Sequence, residues 1–161
     1  MSVYESKIDI YAKFVNMNNA HKLFETMPKQ NVVSWTDTIV GYSHNLHHHE
    51  ALAFFNVMQS QGTKQNLITM INALSACVSL LALEKGKNIQ SYVTRSGIES
   101  DLYVDNGLVN MYLKCVHISI ARQVYDNISS WDVLLCNAMI LGYRIHGHGE
   151  DAFAFFPKFN R

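Results

Sequence analysis

The residues in this chain most suggestive of chemistry are three consecutive histidines and a glutamate, His47, His48, His49 and Glu50. His148 and Glu150 repeat the same His-x-Glu spacing. Zinc deaminases combine His-x-Glu with a later P-C-x-x-C, so that histidine and thiolates hold the metal while the glutamate moves protons. No P-C-x-x-C follows either pair. The three cysteines, Cys77, Cys115 and Cys136, are widely spaced and odd in number, which argues against a zinc knuckle and against a disulfide framework. A nucleophilic thiol needs an oriented base beside it, and the sequence supplies no such constellation. The expectation is a chain that is not an enzyme and has no catalytic residue, no metal site and no cofactor. Its thiols should be small buried hydrophobes in a reducing compartment.

Both His-x-Glu pairs stand just before a helical stripe, where a carboxylate complements the helix dipole, and the stripes repeat. Tyr11, Tyr42, Cys77, Tyr112 and Tyr143 lie in matching contexts, separated by 31, 35, 35 and 31 residues. Ala20, Ala51, Gly86, Ala121 and Ala152 keep the same separations in the other half of each unit. Around four of these run Ala20/Leu23/Phe24/Met27, Ala51/Phe54/Phe55/Met58, Ala121/Val124/Tyr125/Ile128 and Ala152/Phe155/Phe156/Phe159. That i, i+3, i+4, i+7 spacing marks one face of a helix. Each unit therefore reads as two antiparallel helices, A and B, and neither can bury its stripe alone. Stacked hairpins bury a continuous core, which is the physics of an all-α solenoid with one helix of every pair lining a shared face. The expected units are 1–31, 32–66, 67–101, 102–132 and a partial 133–161, in one array. With 161 residues and 48% apolar content, the chain is long enough to bury such a core. No run of 18 apolar residues suggests a membrane span, and no targeting peptide is read at the N-terminus.

The strings VVSWTDTIVGYSHN (32–45), EALAFFNVMQSQG (50–62), LSACVSLLALEKGK (74–87) and NGLVNMYLKC (106–115) resemble plant pentatricopeptide repeat proteins of the PLS subclass. The resemblance covers the whole chain and reads in the motif order S, P, L, S, P. It implies a right-handed superhelix of about five hairpins. It also implies single-stranded RNA as ligand in a mitochondrion or plastid, in C-to-U editing site recognition or RNA maturation. An editing or processing protein acting in trans is the further partner it implies. Repeats of this kind read one base each through two or three side chains.

Carried over by position, the fifth and last residues of each motif are Glu5 with Asn31, Thr36 with Asn66, Ile71 with Asp101, and Asn106 with Asp132. Asn137 is a fifth residue without a partner in the chain. The resemblance assigns adenine to Thr36/Asn66, uracil to Asn106/Asp132 and a pyrimidine to Asn137. The second residues, which would sandwich the bases, are Val33, Ile68, Tyr103 and Leu134, with Ser2 in the first motif. Glu5 departs from the usual neutral polar residue, Ile71 is the apolar residue often found at this place in an L motif, and both are expected to space the array rather than specify a base. Val15, Val116 and Leu46 stand where a glycine commonly turns the chain, and Gln65 where proline is usual.

Thirteen basic and thirteen acidic residues cancel, so phosphate attraction is weak and RNA affinity has to come largely from bases. The competing expectation is a protein-interaction scaffold of the tetratricopeptide type. It lacks support from a W-x2-L-G-x2-Y pattern or a strict 34-residue period. Pro157 falls within the last apolar stripe, where a proline breaks a helix, so an apolar C-terminal edge is expected to drive self-association. Light scattering should show mass rising with concentration; a monomer throughout would contradict this.

Overall fold

The computed structural model describes residues 3–13, 16–96, 101–128, 132–153 and 155. Ser2, Val15, Phe156, Pro157 and Phe159 lie outside them. Among the described residues all regular structure is helical: α1 Val3–Lys13, α2 Met17–Glu25, α3 Val32–His44, α4 His48–Ser60, α5 Leu67–Leu80, α6 Leu83–Ser96, α7 Leu102–Lys114, α8 Ile118–Asp126, α9 Val133–Ile145 and α10 Gly149–Ala152. They fall into two compact units, Met1–Leu80 and Leu81–Arg161.

In the first unit α1, α3 and α5 form a row. Helix α2 packs on α1 and α3, and α4 packs on α3 and α5. The second unit repeats this plan, with α7 beside α9, α6 on α7, α8 on both α7 and α9, and α10 on α9. Within each unit the architecture is thus helix-turn-helix packing with A helices in one layer and B helices in the other. Ala20, Ala51 and Ala121 are fully buried because a methyl group is all that the A–B crossing accommodates. Their stripes fill the core: Phe24, Phe55, Met58, Tyr125 and Phe155 are at most 5% exposed. Neighbouring A helices also meet closely. A Cβ at Gly41 of α3 would stand 2.7 Å from Ala12 Cβ of α1, so this contact requires a glycine.

The recurrent tyrosine serves the A-to-B turn through its backbone. His47, His117 and His148 donate their N–H to the carbonyls of Tyr42, Tyr112 and Tyr143 at 2.8–2.9 Å. These bonds bring the chain round through one residue with positive φ. That residue is Leu46 at 64°, Val116 at 62° and Gly147 at 83°, with Leu81 at 52° in the corresponding place. Only one of the four is glycine, and an L residue in this region costs roughly 1–2 kcal/mol. The β-branched Val116 is the most strained. Val116→Gly should stabilise the chain by up to about 1 kcal/mol, strain relief outweighing the added freedom of the unfolded state. An unchanged or lowered urea midpoint would contradict this.

Candidate nucleic-acid interface

Every A helix from α3 onward starts after an Asn or Asp, and those residues cap it. The Asn31 side-chain oxygen accepts the N–H groups of Val33 and Ser34 at 3.0 and 3.1 Å, and the Ser34 hydroxyl accepts the Asn31 N–H in return. Asn66 accepts from Thr69 at 2.9 Å, Asp101 from Tyr103 at 2.8 Å and Asp132 from Leu135 at 2.7 Å. A short side-chain acceptor here satisfies N–H groups that the helix leaves without partners.

In Asn31, Asn66 and Asp132 capping uses one polar atom of the side chain, and the other meets the preceding A helix. Asn31 Nδ2 donates to Glu5 Oε1 at 3.0 Å. Asn66 Nδ2 donates to Thr36 Oγ1 at 3.0 Å, and Asn106 Nδ2 donates to Asp132 Oδ2 at 3.5 Å. All three fifth-and-last pairs that lie within one unit are therefore in contact. Glu5, expected only as a spacer, is tied to Asn31 as Thr36 is to Asn66. Ile71 is half-buried in α5 of the first unit, and Asp101 caps α7 of the second. Asn137 is exposed on α9.

These contacts decide which atoms remain for a ligand. The Thr36 hydroxyl donates to the Val32 carbonyl at 2.6 Å while accepting from Asn66. That leaves one Thr36 lone pair and one Asn66 N–H. Asn106 keeps its carbonyl oxygen and one N–H.

The second residues are outside the core. Val33 is 40% exposed, Ile68 53%, Tyr103 69% and Leu134 67%. Exposed apolar groups are usually scattered singly, whereas here they recur at the same place on neighbouring A helices within each unit. In the second unit Tyr103 and Leu134 flank a groove of about 620 Å³ between α7 and α9, with Asn106, Asn137, Asn110 and Lys114 also lining it. It thus joins two second residues and two fifth residues in one concavity.

Glu50 and Glu150 lie in the first turns of α4 and α10. Among the described residues no group of three or more His, Cys, Asp or Glu is placed to hold a metal ion. Cys77 and Cys136 are buried, and burial pushes the Cys115 thiol up. An acidic patch on the α1–α3 side is absent from the sequence reading. Burial, followed by Asp9 and Glu5, pushes the Asp37 carboxyl up to about 6 against a small opposing effect of Lys13. Sequence spacing alone could not have found it, because Asp9 and Asp37 belong to different helices.

Repeated hairpins whose first helices carry exposed apolar and paired polar side chains define a helical-repeat chain. More specifically, residues 33–63 and 135–159 match the family model described as PPR repeat, so these two stretches are similar to pentatricopeptide repeats. It is 38% identical over 153 residues to the pentatricopeptide repeat-containing protein CRR2, chloroplastic, of Arabidopsis thaliana. The match covers 94% of this chain and 23% of that protein. It is also 38% identical over 144 residues to DOT4, chloroplastic, of the same plant, covering 89% of the chain and 16% of the relative. The chain therefore spans about a quarter or less of the length of these two relatives. The crystal structure of the pentatricopeptide repeat protein PPR10 from maize superposes with a TM-score of 0.76 at 17% identity, over 96% of this chain and 23% of that one. PPR10 in complex with an 18-nt psaJ RNA element gives 0.72 at the same identity, over 96% and 24%.

The raised carboxyl of Asp37 has a sign that can be measured. A carboxylate whose folded pKa exceeds its ordinary 3.8 adds stability below that value and loses it as pH rises through about 6. Asp37→Asn should therefore stabilise the chain at pH 7.5 by about 1 kcal/mol, allowing for partial solvent screening, and make little difference at pH 3.5. Thermal unfolding at the two pH values reads this; an equal shift at both would rule out the electrostatic origin.

Proposed function

We propose that the chain binds single-stranded RNA on its row of A helices, each complete motif addressing about one base. The groove between Tyr103 and Leu134 carries this reading. Its apolar walls suit the two faces of an unstacked base, and Asn106 and Asn137 stand where amides can meet base edges. The complex of PPR10 with an RNA element supports it through shared fold.

The free atoms of each pair account for base choice. One lone pair on Thr36 and one N–H on Asn66 complement the adjacent N6 amino donor and N1 acceptor of adenine. The Asn106 amide, its nitrogen drawn toward Asp132, can offer its carbonyl to uracil N3–H and its second N–H to a uracil carbonyl. Glu5/Asn31 and Ile71/Asp101 contribute spacing, and Asn137 selects a pyrimidine. Val33 and Ile68 serve the first unit as Tyr103 and Leu134 serve the second.

We assign the chain to the PLS subclass as one array, S 1–31, P 32–66, L 67–101, S 102–132 and partial P 133–161. The A-helix starts at Val32, Leu67, Leu102 and Val133 support the 35- and 31-residue units. In this reading the chain is a non-catalytic specificity segment acting in an organelle, in editing-site recognition or RNA maturation. A separate editing or processing protein performs the chemistry. The chloroplastic relatives favour the plastid.

Fluorescence anisotropy with eight-nucleotide RNAs carrying adenine and, two positions later, uracil tests the reading against scrambled controls at fixed salt. Few motifs make few contacts, so binding of about micromolar strength or weaker is expected. Tyr103→Ala should weaken it roughly tenfold, stacking being worth about 1–3 kcal/mol per base. Thr36→Asn with Asn66→Asp should shift the first preference from adenine to uracil. Indifference to RNA sequence, together with failure of that double variant to move it, would refute base reading.

A further inference from the structure

The groove between α7 and α9 extends beyond the four residues assigned to a base. Asn110 and Lys114 follow Tyr103 and Asn106 along α7, and Leu141 and Ile145 follow Leu134 and Asn137 along α9. Each α9 residue stands 31 places after its α7 counterpart, so both helices present the same positions to one concavity. At 100° per residue, Tyr103, Asn106, Asn110 and Lys114 fall within about 80° of arc. Asn110 lies about 6 Å and Lys114 about 12 Å along the axis from Asn106. The far half of the groove therefore has a polar wall on α7 and an apolar wall on α9.

Asn110 and Lys114 are exposed, and among the described residues neither side chain makes a hydrogen bond or ion pair. The ring of His146, which also lines the groove, is committed: its Nε2 donates to the Leu113 carbonyl at 2.8 Å. The repeat separations put Asp9 and Lys13 of α1 at the places of Asn110 and Lys114. There the ammonium donates to the carboxylate at 2.7 Å. An uncharged amide cannot pair with Lys114 in that way, so α7 keeps a donor, an acceptor and a cation for a ligand. On α3 the place of Asn110 is taken by Val40, which offers no polar atom.

We propose that Asn110 hydrogen-bonds the ribose 2′-hydroxyl of the nucleotide whose base lies between Tyr103 and Leu134, and so makes this groove select RNA over DNA. The inference rests on the base-binding reading of the groove. With a base edge at Asn106, the sugar and then the phosphate of the same nucleotide lie progressively farther from it. Asn110 and Lys114 follow in that order along α7. The 2′-hydroxyl both donates and accepts, as a carboxamide does. Lys114 attracts the phosphate and fixes which end of the groove the backbone takes. Leu141 and Ile145 cover the sugar without competing for its hydroxyl.

The test measures anisotropy of the whole chain with an eight-nucleotide RNA carrying adenosine and, two positions later, uridine. Two copies replace one or the other by its 2′-deoxy nucleotide. Deoxyuridine should weaken binding about fivefold, the worth of one neutral hydrogen bond. Deoxyadenosine should leave it unchanged, because Val40 stands at that position. Asn110→Leu, which copies Leu141 of the facing helix, should weaken binding of the all-ribose RNA by the same factor and bind the deoxyuridine copy equally well. The deoxy comparison on the unaltered chain needs no variant to fold. Equal binding of the uridine and deoxyuridine RNAs, equal losses at both deoxy positions, or a uridine advantage that persists in Asn110→Leu would overturn the proposal. Any of these with the preference for uracil intact refutes the sugar contact alone, whereas loss of that preference refutes base reading and the sugar contact with it.

Discussion

The placement of polar side chains along the A helices depends on bifunctional caps at the starts of α3, α5 and α9. Asn31, Asn66 and Asp132 each carry two polar atoms on one short stem. One satisfies the exposed N–H groups of the helix that follows, and the other is tied to the fifth residue of the helix before. A serine or threonine could cap but has no second heteroatom for the neighbour. The bond to the fifth residue removes rotamer freedom from that side chain. The start of one helix and the placement of the fifth residue on the helix before therefore share one side chain, and a change of cap affects both.

Placement of the second residues follows from the same start. Because the cap sets where helix A begins, the next residue but one emerges into solvent, whereas the fourth points into the hairpin. Val33, Ile68, Tyr103 and Leu134 are consequently exposed, while Trp35, Met70 and Cys136 are at most 3% exposed. Asp105 occupies that interior position too and is 9% exposed. The near-zero net charge leaves the chain with little overall attraction for phosphate groups.

Local strain marks where the sequence departs from the easiest solution. The A-to-B turn requires a positive φ, which Gly147 supplies without cost and Leu46, Leu81 and Val116 supply with it. At Leu46 and Val116 the turn persists because packing of the hairpin and the tyrosine-carbonyl bond determine it more strongly than the residue's own preference does.

Much was legible in the sequence because it depends on periodicity. Two residue series with separations of 31, 35, 35 and 31 mark hairpin units, and the stripe around Ala20, Ala51 and Ala121 identifies the buried face of each B helix. Helical periodicity reports burial directly, since side chains three and four apart share a face whatever lies across from them. The fifth and last residues could be named only by resemblance. Their hydrogen bonds span 26 or 30 residues and depend on where a neighbouring helix lies. The tertiary structure alone decided that Glu5 is tied to Asn31, that Asp37 faces Asp9 and Glu5, and that Tyr103 and Leu134 wall a common groove. Each of these depends on distances between helices, and such distances follow from how side chains of different segments interlock rather than from the order of residues within any one of them.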